Sequence, residues 1–596
     1  MRFCAVLAAV VGLASVAAQA SSAAPPSCKH LVSPPPGAAT FGRPRLTQLE
    51  AVCALVDNPK VASWVHRYPK NLHGGATLYR GVWSVRIASG AAGLIAEGAV
   101  ADRTGKVLLA WTGAQVTWAM ARGTQGAFGG RALNSWPFWL ILSGVFFLGL
   151  ADLRRLASWR NLDLLALLGF GVSLWFFDHG RVFASASLIY PPLVYLLVRA
   201  AWIGLRGRGR EPGRPVWPMW LLTAVAVFAV GFRIAADVSG TPVIDVGYSG
   251  VGGAQAIADG YSPYGHMPSS NPTLKACGPN AIGAVYAFRV QPNGRCELGD
   301  DHGDTYGPVA YETYLPGYEL LPWTTVSNYT RSAKFTSILF DLLCLLGLVL
   351  VGRRFGDNRL AATLAFAWTT FPFTLYALCN NTNDAVQAAF LIWGFWLAST
   401  PVARGAFGAL AGWTKFAPLI AMPLWATYPD GIVFSRRTAR FAAAFAAVTL
   451  AVFSILLLEP TVGHAARVFF DRALLWQVGR TSPFSIWDWR QFHARGLPDL
   501  HLVQAALQVL LVLAALVLPF YPRRKSPLQL AALTAALLLG FQMVQTYWFY
   551  TYIPWFFPFI AFALLARDGS QEQEVEAVHQ RDSAERRTSA IAASAS

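Results

Sequence analysis

Charge is scarce in this chain: only 13% of its 596 residues are Asp, Glu, Lys or Arg, whereas 55% are hydrophobic. A soluble protein of this size carries more charge, and its core does not need apolar segments long enough to cross a bilayer. Here such segments recur along the chain. The scarcity of charge therefore excludes an ordinary soluble protein and predicts an α-helical polytopic membrane protein.

Acidic residues are the scarcer charged class, with 31 Asp and Glu against 48 Lys and Arg, and the formal net charge is +17. A basic excess can indicate nucleic-acid binding, but membrane proteins concentrate Lys and Arg in their cytoplasmic loops. We therefore use the basic residues as markers of membrane orientation and predict no nucleic-acid partner.

Cysteine is also rare, with seven residues. Three of them lie in apolar segments: Cys4, Cys344 and Cys379. The other four lie in segments that we place outside the cytoplasm, where disulfides are stable. Because each pair closes a local loop, we favour Cys28 with Cys53 and Cys277 with Cys296. Four cysteines allow three connectivities, however, and four free thiols are the alternative.

The first 20 residues resemble a cleavable secretory signal. Arg2 precedes an apolar stretch from Ala5 to Ala17, and the small residues Ala18-Gln19-Ala20 provide a cleavage site. An uncleaved anchor is the alternative, because a single arginine is a weak basic region. With cleavage, the mature N-terminus lies outside the cytoplasm.

Residues 21–134 have the character of a soluble domain. Leu46–His66 has helical periodicity, whereas Val82–Ile87, Leu94–Ala101 and Val107–Trp111 alternate as strands do. We predict a small extracytoplasmic α+β domain. It lacks an evident acid, base or metal constellation, so we expect it to serve placement, partner contact or acceptor binding.

Basic loops set the orientation of the remaining segments. The loops placed inside are represented by Arg208, Arg354, Arg437 and Arg524. Residues 135–216 then hold additional transmembrane helices, and residues 217–566 form a membrane domain with external loops 237–330 and 459–499. We expect about twelve transmembrane helices in all, followed by a disordered cytoplasmic tail at 567–596.

Two apolar segments are too short to cross a bilayer alone. Gly405–Trp413 and Ala417–Thr427 are joined by Thr414-Lys415-Phe416, whereas a transmembrane helix needs about 20 residues. Half-length helices that meet at a lysine predict a re-entrant hairpin, which protein or water must cover. Lys415 would then point into a cavity.

Asp245 opens the stretch with the most functional character. It follows the apolar run Met219–Ala236 and precedes small residues that end in the turn Gly260-Tyr261-Ser262-Pro263-Tyr264-Gly265. Small residues let a ligand approach the backbone, and we expect the aromatic side chains of the turn to be exposed. A carboxylate at the end of a membrane helix predicts an active site; the alternative is that Asp245 only caps a short helix.

The loop 459–499, which we place outside, contains several arginines, although basic residues are generally concentrated in cytoplasmic loops. Near an intramembrane lysine, such arginines are suited to hold an anion at the outer membrane face. The alternative is a loop that is solvated or binds lipid headgroups. The candidates in this loop are Arg467, Arg472, Gln477, Arg480 and Trp487.

Several features follow one another between Met219 and Ala566: Asp245 after a membrane segment, the turn 260–264, the Asn-rich segment 380–384, Ala-Gly-Trp-Thr-Lys at 411–415, and Tyr552-Ile553-Pro554-Trp555. In this order they resemble the GT-C membrane glycosyltransferases, and within them the bacterial polyprenyl-phosphate-sugar-dependent mannosyltransferases or related arabinofuranosyltransferases. No motif is specific alone; their order carries the resemblance. It implies a GT-C-like fold with residues 217–566 as the catalytic membrane domain.

The resemblance implies transfer of mannose or arabinofuranose from a polyprenyl phosphate to a glycan or glycolipid, at the extracytoplasmic face of the plasma membrane. The departing phosphate is already a stable anion, so one base suffices. By resemblance Asp245 is that base and the reaction proceeds with inversion, with Asp237 as the alternative base. The residues assigned to substrate binding are Tyr264, His266, Asn381, Asp384, Lys415, Arg472, Gln477, Arg480, Trp487 and Tyr547.

Within that set, the cations are expected to hold the donor phosphate, and the aromatic side chains to stack on sugar rings or flank the lipid. No cofactor is expected and no metal site is assigned. The acidic segment 300–304 lacks the spacing of an EF-hand loop; we favour a solvated turn and leave a divalent cation open.

The alternative function is a polytopic transporter or flippase for a lipid-linked or anionic substrate, which also uses broken helices. Two observations disfavour it. The two halves of the chain show no evident internal repeat, and the polar candidates gather in external loops instead of at mid-membrane.

Overall fold

The computed structural model describes most of the apolar segments and part of the segments between them. The described residues are 44–67, 72–79, 81–89, 93–112, 116, 135–178, 181–207, 217–241, 243–266, 288–290, 296–298, 303–321, 326–478, 482, 484–488 and 498–566. The predictions on the signal sequence, the tail 567–596, Arg480, Cys28 and Cys277 lie outside these residues.

A small α+β unit forms the N-terminal part of the described chain. Its four strands pair antiparallel in sequence order. The helices and strands are α1 (Gln48–Val56), α2 (Pro59–Arg67), β1 (Leu72–Tyr79), β2 (Val82–Ser89), β3 (Gly93–Ala101) and β4 (Val107–Thr112). The prediction did not include β1, because its Gly74-Gly75 pair interrupts the apolar alternation that indicates a strand.

The single helical pattern predicted over Leu46–His66 is divided into α1 and α2. Thr47 caps α1: its hydroxyl accepts from the Glu50 amide, and the Glu50 carboxylate accepts from the Thr47 amide. Asp57 ends α1, and Pro59 begins α2. Proline is favourable at the start of a helix but interrupts its interior, so the apolar periodicity continued across a real break.

A short antiparallel pair lies in the long segment after Asp245. It consists of β5 (Phe288–Val290) and β6 (Cys296–Leu298), and β5 lies next to β3. The N-terminal unit therefore contacts the segment between two membrane helices.

The rest of the described chain is predominantly helical. Its helices are α3 (Trp136–Leu150), α4 (Trp159–Asp178), α5 (Val182–Leu188), α6 (Tyr190–Arg206), α7 (Met219–Gly240), α8 (Asp245–Ala258), α9 (Pro308–Glu312), α10 (Leu315–Leu320), α11 (Val326–Phe355), α12 (Asn358–Thr370), α13 (Pro372–Leu378), α14 (Asp384–Trp396), α15 (Pro401–Gly412), α16 (Met422–Thr427), α17 (Arg436–Val452), α18 (Val462–Phe469), α19 (Trp476–Val478), α20 (His501–Val517), α21 (Pro527–Val544) and α22 (Ile553–Leu565). Short 3-10 or π segments cover Ala417–Ala421, Phe453–Leu458, Phe470–Leu475 and Tyr550–Tyr552.

Six helices in the described part are long and apolar enough to cross a membrane, and a seventh span results if α12 and α13, bent by 59°, count together. The structure thus supports a mostly helical, membrane-embedded protein, but the expected number of about twelve spans is not confirmed. The reason lies in helix length, since four further apolar segments have only 10–17 residues.

The membrane helices differ in how far the protein covers them. In α21, 78% of the apolar stretch is buried inside the protein, whereas in α7 and in the helical segment that contains α17 only 22% of it is buried. Large apolar side chains such as Phe228, Leu450 and Leu502 are exposed on α7, α17 and α20. Such surfaces are stable in contact with lipid, so each of these three helices presents a lipid-facing side.

Residues 401–428 form a helical hairpin. Arg404, near the start of α15, donates from Nε to Trp425 O at 3.1 Å and from Nη2 to Tyr428 O at 3.0 Å. Near the end of α15, a Cβ on Gly412 would lie 2.4 Å from Leu419. The chain therefore reverses direction around Lys415, and both ends of the hairpin lie together.

Candidate functional site

A buried ion pair lies at the tip of the hairpin. Lys415 Nζ donates to Asp384 Oδ1 at 2.5 Å, and Asp384 is the first residue of α14. Asp384 is 0% exposed and Lys415 is 7% exposed. The negative charge suits the start of α14, where the helix dipole is positive. The sequence predicts that Lys415 points into a cavity; in the structure its ammonium group instead lies against a carboxylate that balances its charge.

Three aromatic rings complete the surroundings of Lys415. Its Nζ lies 5.5 Å from the ring centroid of Tyr306, 5.1 Å from that of Tyr552 and 5.3 Å from that of Trp555. Trp555 also donates from Nε1 to Asp384 Oδ1 at 2.8 Å, and its ring stacks on Tyr552 at 4.3 Å. Ring faces attract a cation. We call Lys415, Asp384, Tyr306, Tyr552 and Trp555 the lysine cluster.

The lysine cluster is closed. Because a carboxylate and three rings surround the ammonium group, an anion reaches Lys415 only if some of these side chains move. Separating the pair would also leave a buried charge uncompensated, which is costly. Direct binding of a phosphate by Lys415 therefore needs a rearrangement, whereas a positioning role does not.

The turn 380–383 connects the lysine cluster to α7 and α8. Asn381 adopts a left-handed backbone conformation, with φ of 54°, which Asn tolerates better than most residues. Its Nδ2 donates to Asp237 Oδ1 at 3.0 Å and to Thr241 Oγ1 at 3.1 Å. Asn381 is 0% exposed, so its side chain fixes the turn and does not present itself to a ligand.

Asp237, the alternative base, is enclosed near the end of α7. It is 0% exposed, and its Oδ1 accepts from Thr241 and Asn381. Its backbone oxygen accepts from Lys334 Nζ at 2.7 Å. Because the residue is fully buried, a substrate hydroxyl reaches this carboxylate only if neighbouring side chains move, so the geometry favours the half-buried Asp245 over Asp237 as the base.

Asp245 is half-buried and begins α8. The preceding Ile244 donates its N–H to Asn380 O at 3.3 Å, and a Cβ on Gly247 would lie 2.5 Å from Asn381 O. The first turn of α8 therefore packs on the turn that leads into the lysine cluster. Asp245 is the first residue of α8, whereas the N-cap is Ile244 and no side chain caps the helix, so the alternative of a capping role for Asp245 is not what the structure shows.

The segment 303–307 gathers residues from separate parts of the chain. Its Tyr306 belongs to the lysine cluster, and Tyr306 O accepts from the Tyr264 hydroxyl at 2.9 Å. Gln477 Nε2 donates to Thr305 O at 3.3 Å. Tyr264 and Gln477 therefore support the segment that positions the Tyr306 ring.

Arg472 is the more accessible cation near this segment. Its side chain is 24% exposed, and its Nε lies 3.9 Å from Oδ2 of the fully buried Asp304. Asp304 also accepts from the Gly265 N–H at 3.0 Å. Arg472 belongs to the π-helical segment Phe470–Leu475, a local distortion that is frequent at functional sites.

Two aromatic residues that we expected to be available for stacking are buried. Tyr264 is 2% exposed and lies 5.0 Å from the Phe469 ring; Trp487 is 4% exposed and donates to Met543 O at 3.1 Å. Of the two tyrosines in the turn, only Tyr261 is exposed, because Tyr264 fills the core beneath the turn. Neither buried ring offers a free face to a sugar.

His266 and Tyr547 lie at the margins of the site. His266 is exposed and its Nε2 lies 2.9 Å from Glu459 Oε1, which also accepts from the Ser262 N–H at 3.0 Å. Glu459 thus links the two predicted external segments. The Tyr547 ring lies 6.4 Å from the ring of Tyr552.

Glu312 is a titratable residue that the sequence did not single out. It ends α9 and is half-buried, and desolvation raises the pKa of its carboxyl from 4.5 to about 7. The start of α9 contacts the hairpin tip, where the Val309 N–H donates to Trp413 O at 3.2 Å. A carboxyl that titrates near neutral pH is suited to accept a proton.

The cysteines are described in part. Cys53 is disulfide-bonded, whereas Cys344 and Cys379 are free and buried. The side chains of the three other predicted bridge residues lie outside the described part: Cys28, Cys277 and Cys296. The two pairings therefore stay predictions.

Among the described residues, no group of three or more His, Cys, Asp or Glu side chains is arranged to hold a metal ion. Comparison of the chain with known protein families, with curated proteins and with solved structures gives no match.

Proposed function

We propose that this protein is a membrane glycosyltransferase that moves a sugar from a polyprenyl phosphate to a glycan or glycolipid acceptor. The observation that carries the proposal is the convergence of Asp245, the turn 380–384 and Lys415. The first turn of α8 packs on this turn, and Asp384 binds Lys415. Asp245, the turn 380–384 and Lys415, whose order along the chain resembles that of the GT-C enzymes, thus lie close together in the structure.

Asp245 is the proposed base. It is half-buried and so accessible to a ligand, and its place in the first turn of α8 favours the ionised carboxylate. As the acceptor oxygen bonds to the sugar C1, its proton passes to Asp245. The bond from C1 to the phosphate oxygen breaks on the opposite face, its electron pair stays on the phosphate, and the configuration inverts.

Arg472 is the proposed partner of the donor phosphate, because its guanidinium is partly exposed and this group can form paired hydrogen bonds with phosphate oxygens. Lys415 acts through Asp384. Their ion pair holds the start of α14, and with it the turn against which Asp245 lies. In this assignment Lys415 is a positioning residue, in contrast to the direct phosphate contact expected from the sequence.

We place the site at the extracytoplasmic face of the plasma membrane. The supporting observation is the position of Arg437, which follows the base of the hairpin, opposite the tip that carries Lys415. Basic clusters favour the cytoplasmic side.

The test is incubation of the purified full-length protein in lipid with labelled polyprenyl phosphate sugars, including the mannose and arabinofuranose forms. We expect one donor to label an acceptor with inverted anomeric configuration, and Asp245→Asn to be the inactive control. Absence of transfer from every donor by folded protein would contradict the proposal. Movement of the intact donor across the bilayer without transfer would indicate the flippase alternative.

A further inference from the structure

Two loops are joined at the base of the hairpin, the end opposite Lys415. The first follows α16 and the second connects α20 to α21. The Lys525 N–H donates to Pro429 O at 3.1 Å, and Lys525 Nζ donates to Pro519 O and Pro522 O, both at 2.7 Å. A Cβ on Gly431 would lie 2.4 Å from Pro519 O. The buried Lys525 thus makes one surface of residues 428–440 and 519–525, which we call the basal surface.

The basal surface exposes large apolar side chains. Phe434 is 99% exposed, so nothing in the described protein covers its ring. Its neighbours Ile432 and Val433 are exposed too, as are Phe520 and Tyr521 on the second loop. A loop in water gains nothing from such exposure, whereas aromatic side chains are stable at a membrane–water interface.

The same surface carries an excess of positive charge. The first five residues of α17 include Arg436, Arg437 and Arg440, and its first turn has no acidic residue. The N-terminus of a helix is itself positive, so arginines there are unfavourable without an anion. Arg437 pairs with Asp430 at 2.9 Å. The second loop adds exposed cations at 523 and 524.

We propose that the basal surface is a binding site for the headgroups of anionic phospholipids. The arginines bind the lipid phosphate, for which guanidinium geometry is suited. Phe434, Phe520 and Tyr521 enter the interfacial layer beside it. The outer sides of α17 and α20 are apolar and exposed, as expected for helices in contact with lipid. The arginines lie at or near the ends of these helices, which is the level at which lipid headgroups lie.

The lipid would also act on the hairpin. Arg404 is 1% exposed, and it donates to Trp425 O and Tyr428 O, so it connects α15 to the first residue of the basal surface. Fixing the two loops therefore fixes the base of the hairpin whose tip carries Lys415. This inference does not depend on the proposed function.

The test uses delipidated full-length protein in detergent, titrated with phosphatidylglycerol or phosphatidylcholine and followed by native mass spectrometry. Each basic residue near an anionic surface changes the binding constant by about fivefold. We expect phosphatidylglycerol to bind more tightly, and the variant R436Q/R437Q/R523Q/R524Q to weaken it by at least about tenfold with phosphatidylcholine unaffected. Phe434→Ser should weaken both lipids.

The matched control is R154Q/R155Q, which removes exposed arginines from another loop and should change the affinity less than about twofold. Equal losses in both variants would show general surface attraction and overturn the proposal. Equal affinity of the wild-type protein for the two lipids would overturn it without any variant. Full displacement of the lipid by millimolar inorganic phosphate would show a free-phosphate site and would also overturn it.

Discussion

Asp384 lies in a closed environment at the centre of the lysine cluster. Its carboxylate is buried and accepts from both Lys415 and Trp555. A buried pair of this kind contributes little net stability as a pair, but removal of one partner leaves the other charge in a medium that does not solvate it. The lysine cluster is therefore sensitive to single substitutions and tolerant of matched ones.

Lys415→Met should lower the free energy of unfolding by about 3–5 kcal/mol, because Asp384 loses its counter-charge. Lys415→Met combined with Asp384→Asn should recover part of this loss. Thermal unfolding in detergent measures both. If the single and double variants are equally destabilised, the ion pair is not the cause.

Asp245→Asn should reduce turnover by ~10² or more while donor binding survives, because the amide keeps the shape but cannot accept the proton. Single-turnover rates and donor affinities separate the two effects. Turnover like that of the wild type would move the base to Glu312, since Asp237 is enclosed.

Lys415→Ala should change donor affinity less than Arg472→Ala does.

Glu312→Gln should change the pH dependence of stability. In the folded protein desolvation raises the pKa of Glu312 from 4.5 to about 7. The folded state therefore binds a proton that the unfolded state has released, and stability falls as pH rises through this window. The variant lacks this fall, so its advantage in melting temperature should grow from pH 4.5 to pH 7 and then level off. Parallel curves would contradict the assignment.

The sequence identifies Lys415 because a charge in an apolar segment is conspicuous. It could not identify the partners that close around it. Tyr306 and Trp555 lie far from Lys415 along the chain, and only the packing of α9 and α22 against the hairpin brings them near. For the same reason, Tyr264 could not be recognised as a core residue: the elements that bury it are remote.

Among the helices, α7, α11 and the bent pair α12–α13 are held together by a second buried ion pair. Arg233 donates from Nε to Asp341 Oδ2 at 3.2 Å and from Nη2 to Oδ1 of the same carboxylate. Trp368 Nε1 donates to Asp341 at 3.0 Å, and Arg233 Nη1 donates to Thr374 at 3.1 Å. The pair therefore spans the bend between α12 and α13.

Arg233→Leu should cost about 3–5 kcal/mol of unfolding free energy, since Asp341 is left as a buried charge without its counter-ion. Arg233→Leu with Asp341→Leu should cost less, because apolar side chains suit this environment. Unfolding curves of the two variants decide the matter. If the double variant is less stable than the single one, the polar network itself is required for the bend between α12 and α13.

Helix lengths explain which elements the sequence predicts. The hairpin is predictable because two short apolar runs flank a lysine. The division at Pro59 is less visible, since the apolar periodicity of α1 continues into α2. The predicted number of about twelve membrane spans stays unconfirmed because apolar segments such as α3 and α20 have the composition of a span but fewer residues than a straight span needs.

On the scale of the whole molecule, the N-terminal α+β unit and the helical part have separate apolar cores. Val52, Leu55 and Trp83 belong to the first core, whereas Phe366 and Phe557 belong to the second. Their described link is the approach of β5 to β3. Separate cores predict that either part folds without the other.

Deletion of residues 21–130 with the following helix retained should preserve transfer to a small soluble acceptor, because the lysine cluster and Asp245 lie entirely in the helical part. The same deletion in the Asp245→Asn background is the control. Radiolabel transfer measures the outcome. Complete loss of activity in a folded deletion variant would show that the N-terminal unit takes part in the reaction.

The hairpin formed by residues 401–428 also governs how the orientation of the chain is counted. Because its two ends lie together, the chain leaves it on the side where it entered. Reporter fusions just before Pro401 and just after Tyr428 should therefore report the same compartment. A scheme that counts the hairpin as one crossing reverses every later assignment and moves Arg472 and Arg524 to the wrong sides.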